Sequence, residues 1–361
     1  MKYIDEYRDT NLIRKLADHI RNSATGRYTF MEVCGGHTSA IHRFGIPSLL
    51  PPNIRLISGP GCPVCVTGTG FIDKAVAYSK MNDVVIATFG DLIRVPGSSS
   101  SLEKRKSEGA DIRVVFSGLE ALNIAVSNQG KKVIFLGIGF ETTAPGTAVT
   151  VKQAKGSGTQ NFQLLSAHKV MPPAMEAIIK DGVHLDGFIC PGHVATITGS
   201  EYFKFISETH SLACVISGFE PADILQSLLM LVHQVNNMLP VTEIQYSRAV
   251  TTKGNVTAQR TLSEVFESCD TTWRGLGMIP GSGLKLRNEF EDFDAENMIP
   301  VTVDTQKDNP ACLCGDILRG VKNPHECSLF GVVCFPENPV GACMVSAEGA
   351  CNSYYKYSEH E

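Results

Sequence analysis

Cys62 and Cys65 stand two residues apart in the stretch GPGCPVCVTGTG, residues 59–70. Glycine and proline surround the pair and a helical pattern follows it. A CxxC placed before a helix is the arrangement of dithiol/disulfide redox centres. Zinc-knuckle use is the rival, but a knuckle needs a second close pair and this part of the chain adds only Cys34. Cys34 lies in EVCGGHTSAIH with His37 three residues on. Thiol and imidazole suit iron, zinc or copper. TSAIHRFG reads as a helix start, and a thiol near a helix N-terminus has a lowered pKa, so Cys34 is expected to be a thiolate. Two ligands do not complete a metal shell. Exogenous ligands or a partner's residue would have to fill it. The plainer reading is a cysteine that ends a strand beside an unrelated histidine.

A second sulfur cluster lies at the other end. Of twelve cysteines, Cys312, Cys314, Cys327, Cys334, Cys343 and Cys351 crowd the last 50 residues. The spacing C-x14-C-x6-C-x16-C picks out Cys312, Cys327, Cys334 and Cys351. Four thiolates on a Gly-rich segment suit a [4Fe–4S] cluster. They would also suit a structural Zn(Cys)4 site, although zinc usually takes two close CxxC knuckles. Cys314 can replace Cys312 on spacing alone. Cys190, Cys214 and Cys269 are scattered and read as small buried hydrophobes, with Cys190 the least secure because it ends a strand before Pro-Gly-His.

GIGFETTAPGT, residues 137–147, has Gly137 and Gly139 but no glycine three residues later, so it is not a dinucleotide fingerprint. Glu141, Thr142 and Thr143 stand at an expected helix N-terminus, suited to an anion, a partner or simple capping. Asp91, His168 and His193 share strand-end positions. The chain carries no Walker A motif, no CxxxCxxC triplet and no GxSxG elbow.

The elements that must position these groups follow a rhythm. Apolar β-rich runs are YTFMEV, IRLIS, DVVIATF, IRVVFS, KVIFLGIG, FQLLSA, DGFIC and ACVIS. Helical patterns separate them, among them GFIDKAVAYSK, GLEALNIAVSNQ, PPAMEAIIKDG and EPADILQSLLMLVHQVNN; another covers residues 10–22. Strands alternating with helices imply βαβ units and parallel sheets. Domain size favours two α/β units, divided near residues 128–132. The unusual loops all follow strands, where open parallel sheets bind ligands. Two such units facing each other would gather them in one cleft. Beyond about residue 270 the periodicity stops.

Composition narrows the class. The chain has 361 residues, 43% hydrophobic and 19% charged, as a globular protein with real cores does. A net charge of −5 leaves no basic surplus for nucleic acid. No apolar run approaches a membrane span, and MKYIDEYRDT is not a signal peptide. A cytoplasmic protein is expected, with its thiols reduced rather than built into a disulfide framework.

With these motifs in view, the chain resembles the HypD family of hydrogenase maturation. The likeness rests on CGGHT (34–38), GPGCPVC (59–65), TFGDLIRVPGS (88–98), GFETTAPG (139–146), CPGHV (190–194) and the cysteine-rich tail from CLCGDILRG to GAC (312–351). It implies two similar parallel-sheet α/β domains facing a cleft and a third, mostly irregular or helical iron–sulfur domain. The expected bounds are 28–130, 131–240, and 1–27 with 241–361. The resemblance also implies a scaffold on which the Fe(CN)2CO unit of [NiFe]-hydrogenase is built. A HypC-type chaperone would share the iron and a HypE-type protein would deliver cyanide as a thiocyanate. Cys34 and His37 would hold iron, Cys62 and Cys65 would be a redox dithiol beside it, and Cys312, Cys327, Cys334 and Cys351 would bind the [4Fe–4S] cluster. Asp91, Glu141, Thr142, Thr143 and His193 would line the partner and ligand cleft. A stand-alone iron–sulfur thiol reductase and a zinc-stabilised interaction protein are the alternatives.

Overall fold

Eleven strands organise the computed structural model, which describes residue 2, residues 4–304, residue 306 and residues 308–357. In chain order they are β1 (Tyr28–Glu32), β2 (Ile54–Ser58), β3 (Val84–Thr88), β4 (Ile112–Val114), β5 (Lys132–Gly139), β6 (Phe162–His168), β7 (Gly187–Pro191), β8 (Ala213–Ser217), β9 (Thr242–Ile244), β10 (Phe266–Trp273) and β11 (Gly277–Leu286). All eight expected strands form. So do the expected helices, as Thr10–Ser23, Thr69–Tyr78, Gly118–Ser127, Met171–Lys180 and Pro221–Asn236.

Two parallel sheets result, in the orders β2-β1-β7-β8-β9 and β4-β3-β5-β6. The α/β class with parallel sheets is as expected. The strands, however, do not fall into the consecutive halves 28–130 and 131–240. Val84 of β3 pairs with Lys132 of β5 across that boundary, and Phe30 of β1 pairs with Gly187 of β7. The second sheet is therefore an insertion between β2 and β7 of the first. Nor does the N-terminal segment join the tail. Helix Thr10–Ser23 packs on Pro221–Asn236, and Ile20 enters the same core as Phe30 and Val215. Apolar periodicity reports that a strand is buried on both faces; it carries no label for the sheet it joins.

Strand alternation feeds three apolar clusters. Met31 of β1 and Ile216 of β8 share an inner core with Ile86 of β3 and Ile134 of β5, so the sheets pack on common ground. Phe30 and Val215 face the outer helices of the first sheet. Val85 and Phe135 face those of the second. The inner core continues into the tail through Ile317, Leu318 and Met344.

Beyond about residue 270 no periodicity is expected, yet β10 and β11 form an antiparallel hairpin across that point, with a register shift between Cys269 and Thr271. Half its length faces solvent. Its anchor is Trp273, fully buried, whose Nε1–H donates to Ser282 Oγ at 2.8 Å. The closing helix Ala350–Tyr357 packs on Gly35–Arg43, which brings the tail to the end of β1.

Candidate functional site

β1 ends at Glu32, and Cys34 becomes the N-cap of helix Gly35–Arg43. The loop after β2 folds directly onto it. Gly35 N–H donates to Gly61 O at 2.9 Å, and Gly59 N–H to Glu32 O at 2.7 Å. A Cβ on Gly61 would lie 2.2 Å from Cys34 N, so only glycine admits this approach. CGGHT and GPGCPVC are thus one structure built from the ends of two paired strands.

His37 is fully buried and held from two directions. Its Nε2 lies 2.9 Å from Gly218 O. A carbonyl can only accept, so Nε2 carries the proton and Nδ1 presents a bare lone pair. Burial lowers the His37 pKa to about 4, which keeps the ring neutral at neutral pH. Nδ1 is buried with no hydrogen-bond partner. Phe219 fixes the ring plane. It stacks on His37 at 4.4 Å and on His193 at 3.9 Å, sandwiched between the two imidazoles.

Cys34 differs from expectation. Burial, with help from the nearby Glu348 carboxylate, pushes its thiol up to about 12. The backbone N–H groups of Gly36 and His37 act the other way and lose. Helix position alone predicted a thiolate; desolvation and like charge outweigh it. Glu32 lies alongside, accepting from Cys34 N–H at 3.0 Å and Thr38 Oγ1 at 2.5 Å, its own pKa raised by burial to about 8. A cation at this loop would displace the Cys34 proton and regain the sulfur as a ligand.

Cys62 and Cys65 form a disulfide. Cys62 caps the short helix Pro63–Val66, and both residues are buried. Cys65 Sγ lies 3.9 Å from Ala342 O, so the disulfide is wedged between the Cys34 loop and the cysteine-rich tail.

In the tail, Cys312, Cys314, Cys327, Cys334, Cys343 and Cys351 surround one cavity whose other walls are Ile317, Leu329, Phe330, Gly341 and Met344. No acidic or basic side chain lines it. Cys314 Sγ and Cys343 Sγ are 2.7 Å apart, while Cys334 Sγ accepts from Val340 N–H at 3.3 Å. Among the described residues no three donors converge as a single bound ion requires. Thiols ringing an apolar hollow fit the donor chemistry of an iron–sulfur cluster, whose ligands stand around a cage rather than one ion.

Asp91 and His193 are brought to the Cys34 and His37 neighbourhood. Asp91 accepts from Ser346 Oγ at 2.8 Å, two residues before Glu348, and His193 arrives through Phe219. Glu141, Thr142 and Thr143 are placed elsewhere, at the end of β5. Glu141 is buried and accepts from Met171 N–H and Tyr202 Oη–H at 2.8 and 2.7 Å. Thr143 turns its hydroxyl back to Ile138 O and Phe140 O as a local cap, and Thr142 is exposed. Cys190 pairs with Cys214 at 3.4 Å inside the first sheet, as buried thiols. His168 is buried against Thr147 and Ser166.

Gly218, Phe219 and Glu348 carry none of the motif signals. Glu32 carries one, a carboxylate closing a mostly apolar strand two residues before a cysteine.

Two parallel sheets with sulfur and imidazole at their strand ends, backed by a cysteine-lined cavity, define a thiol-rich α/β protein rather than a dinucleotide-binding one. Comparison with known proteins makes this particular. The family model HypD, described as the hydrogenase formation hypA family, matches residues 11–358. Hydrogenase maturation factor HypD2 of Bradyrhizobium diazoefficiens is 48% identical over 368 residues, 99% of this chain and 97% of that protein. Hydrogenase maturation factor HypD of Cupriavidus necator is 47% identical over 99% and 97% of the two chains. Its namesake in Escherichia coli is 42% identical over 100% and 99%. The chain belongs to the HypD family of hydrogenase maturation factors. No helix among its described residues is long and apolar enough to cross a membrane.

Proposed function

We propose that this maturation factor is the cytoplasmic scaffold on which the Fe(CN)2CO unit of a [NiFe]-hydrogenase is assembled. The observation that carries this reading is His37: a buried imidazole whose Nε2 is tied to Gly218 O and whose Nδ1 has no partner. A ring locked by its second nitrogen is the usual state of a metal-ligating histidine. Iron is the cargo. Cys34 and His37 supply two of its ligands, a cysteine of a HypC-type chaperone supplies another, and the remaining positions take diatomic ligands. Because Cys34 carries a proton at neutral pH, iron uptake releases that proton.

Cyanide arrives as a thiocyanate on a HypE-type partner. Its release is a reduction: R–S–C≡N with two electrons and one proton gives R–SH and cyanide bound to iron, breaking the S–C bond. The Cys62–Cys65 dithiol supplies two electrons and two protons as it closes to a disulfide, and one proton is left over. In this scheme a Cys62–Cys65 disulfide is the spent form of the couple. Cys312, Cys327, Cys334 and Cys351 are the proposed holders of a [4Fe–4S] cluster, with Cys314 and Cys343 left as each other's neighbour. When bound there, the cluster supplies single electrons for regenerating the dithiol.

A stand-alone iron–sulfur thiol reductase would leave the locked His37 imidazole idle, which disfavours that alternative. The couple instead serves the loop that Gly61 presses onto Cys34.

The test is an infrared spectrum of the protein co-expressed with a HypC-type partner and purified without oxygen. Metal-cyanide and metal-carbonyl bands are expected, and they should vanish in Cys34→Ala and His37→Ala. A cluster-loaded complex without such bands would return the weight to thiol reduction. Cys62→Ala should keep iron and cluster but lose the cyanide bands; normal hydrogenase maturation by that variant would remove the dithiol from the scheme.

A further inference from the structure

Arg274 follows the last residue of β10 and reaches the redox elements on both sides. Its backbone N–H donates to Val66 O at 2.9 Å, one residue beyond Cys65. The residue is only 7% exposed. Nε and Nη2 hold Asp308 Oδ1 at 3.1 and 2.8 Å, and Nη2 also reaches Thr69 Oγ1 at 2.9 Å and Pro96 O at 3.2 Å. Nη1 is buried and has no partner.

The turn that carries Arg274 is pressed onto the turn that carries Cys314. A Cβ on Gly275 would lie 2.4 Å from Gly315 Cα, and one on Gly315 would lie 2.9 Å from Gly275 Cα. Arg274, Asp308, Cys312 and Cys314 line one cavity. An unmatched buried cation is costly unless negative charge lies close by. Asp308 matches only part of it, because its side chain is 44% exposed to screening water. On the other side of the guanidinium the cavity wall continues into Cys312 and Cys314 of the tail.

We infer that Arg274 is a positioning residue for the redox chemistry of the tail: a fixed cation that raises the reduction potential of the cluster held by its cysteines. This rests on the cluster reading given above. Reduction adds one negative charge to the cluster, and a cation held in low-dielectric surroundings favours the more negative state. Arg274 also touches the segment after Cys65, so the same charge stands beside both partners of the electron exchange.

The experiment is a redox titration of the cluster, followed by electron paramagnetic resonance, on the full-length protein. Arg274→Met should lower the reduced-to-oxidised ratio at a fixed potential about tenfold, equal to about 59 mV for a one-electron couple. Arg274→Lys keeps the charge and should restore most of the ratio. Asp308→Asn removes the compensating carboxylate and should move the ratio the other way. A purely structural role cannot produce shifts of opposite sign. Cluster-loaded variants that all titrate like the parent, or all shift in one direction, would overturn the role of Arg274 alone. A parent protein that assembles no iron and sulfide would overturn the cluster reading and this inference with it.

Discussion

At the ends of β1 and β2, Cys34 and Cys62 are placed by backbone. Both cap helices, both follow strands in register from Tyr28↔Ile54 to Glu32↔Ser58, and the two loops exchange main-chain hydrogen bonds. The six tail cysteines stand on short turns and single helical turns, such as Cys314–Leu318 and Ala342–Met344, with only the helix Ala350–Tyr357 longer. What those turns share is a hollow lined by sulfur and apolar carbon. One centre is preorganised by the fold. The other lacks a lattice of its own and, in the proposed reading, would draw its order from what the thiols hold.

The sharpest way to break this comparison is Gly61→Ala. A Cβ there meets Cys34 N at 2.2 Å and Val33 C at 2.3 Å, backbone that cannot step aside. Stability measured by urea unfolding should fall by about 3 kcal/mol. Maturation activity should be lost with it. A variant of unchanged stability would mean that the loops are not rigidly stacked.

Removing iron with a chelator under reducing conditions should act on the opposite region. Amide exchange across residues 312–351 should accelerate by about tenfold or more, while β1, β2 and helix Gly35–Arg43 stay protected. Equal acceleration in both regions would erase the distinction.

Phe219→Ala separates positioning from ligation. The ring contacts of His37 and His193 are lost, at about 1 kcal/mol for each stacked pair. The fold should survive, while iron content in the HypC-type complex falls well below that of the parent. Full iron occupancy would show that Gly218 O alone holds His37.

The smallest effect is on pH dependence. His37, His42 and His168 have folded pKa values lowered by burial to about 4, about 4 and about 3. The unfolded chain binds their protons first, so stability is lost as pH falls below about 6.5 and returns above it. Glu32 works in reverse, raised to about 8, so its contribution declines as pH rises from about 4.5 towards 8. Thermal midpoints should therefore climb from pH 4.5 to 6.5, and Glu32→Gln should flatten the decline above that. A parent profile flat across the lower window would contradict the burial of the histidines.

Strand positions were readable because runs such as KVIFLGIG are buried on both faces, and helix positions because turns and caps punctuate them. Which sheet each strand joins was not readable, since Met31 and Ile134 look alike in sequence and meet in one core. The placement of Cys34, Cys62 and Cys65 followed from strand-end logic. The charge state of Cys34 did not, because it depends on tertiary burial first and then on Glu348, more than 300 residues away in the chain. Phe219 and Arg274 act through contacts that no local pattern marks. β10 and β11 escaped because a half-exposed hairpin with a register shift breaks the alternation that would announce it.

The insertion of β3 to β6 between β2 and β7 has a consequence for how the protein is made. When Cys34 and His37 leave the ribosome, the strand that must lie beside β1 and the Gly218–Phe219 turn that seats His37 have not been translated. All strands of the four-stranded sheet, within residues 84–168, are translated before β7 and β8, which complete the first sheet. A nascent chain therefore carries the cysteine but not the seated imidazole. If iron is the cargo as proposed, its seat is incomplete until translation has passed residue 219.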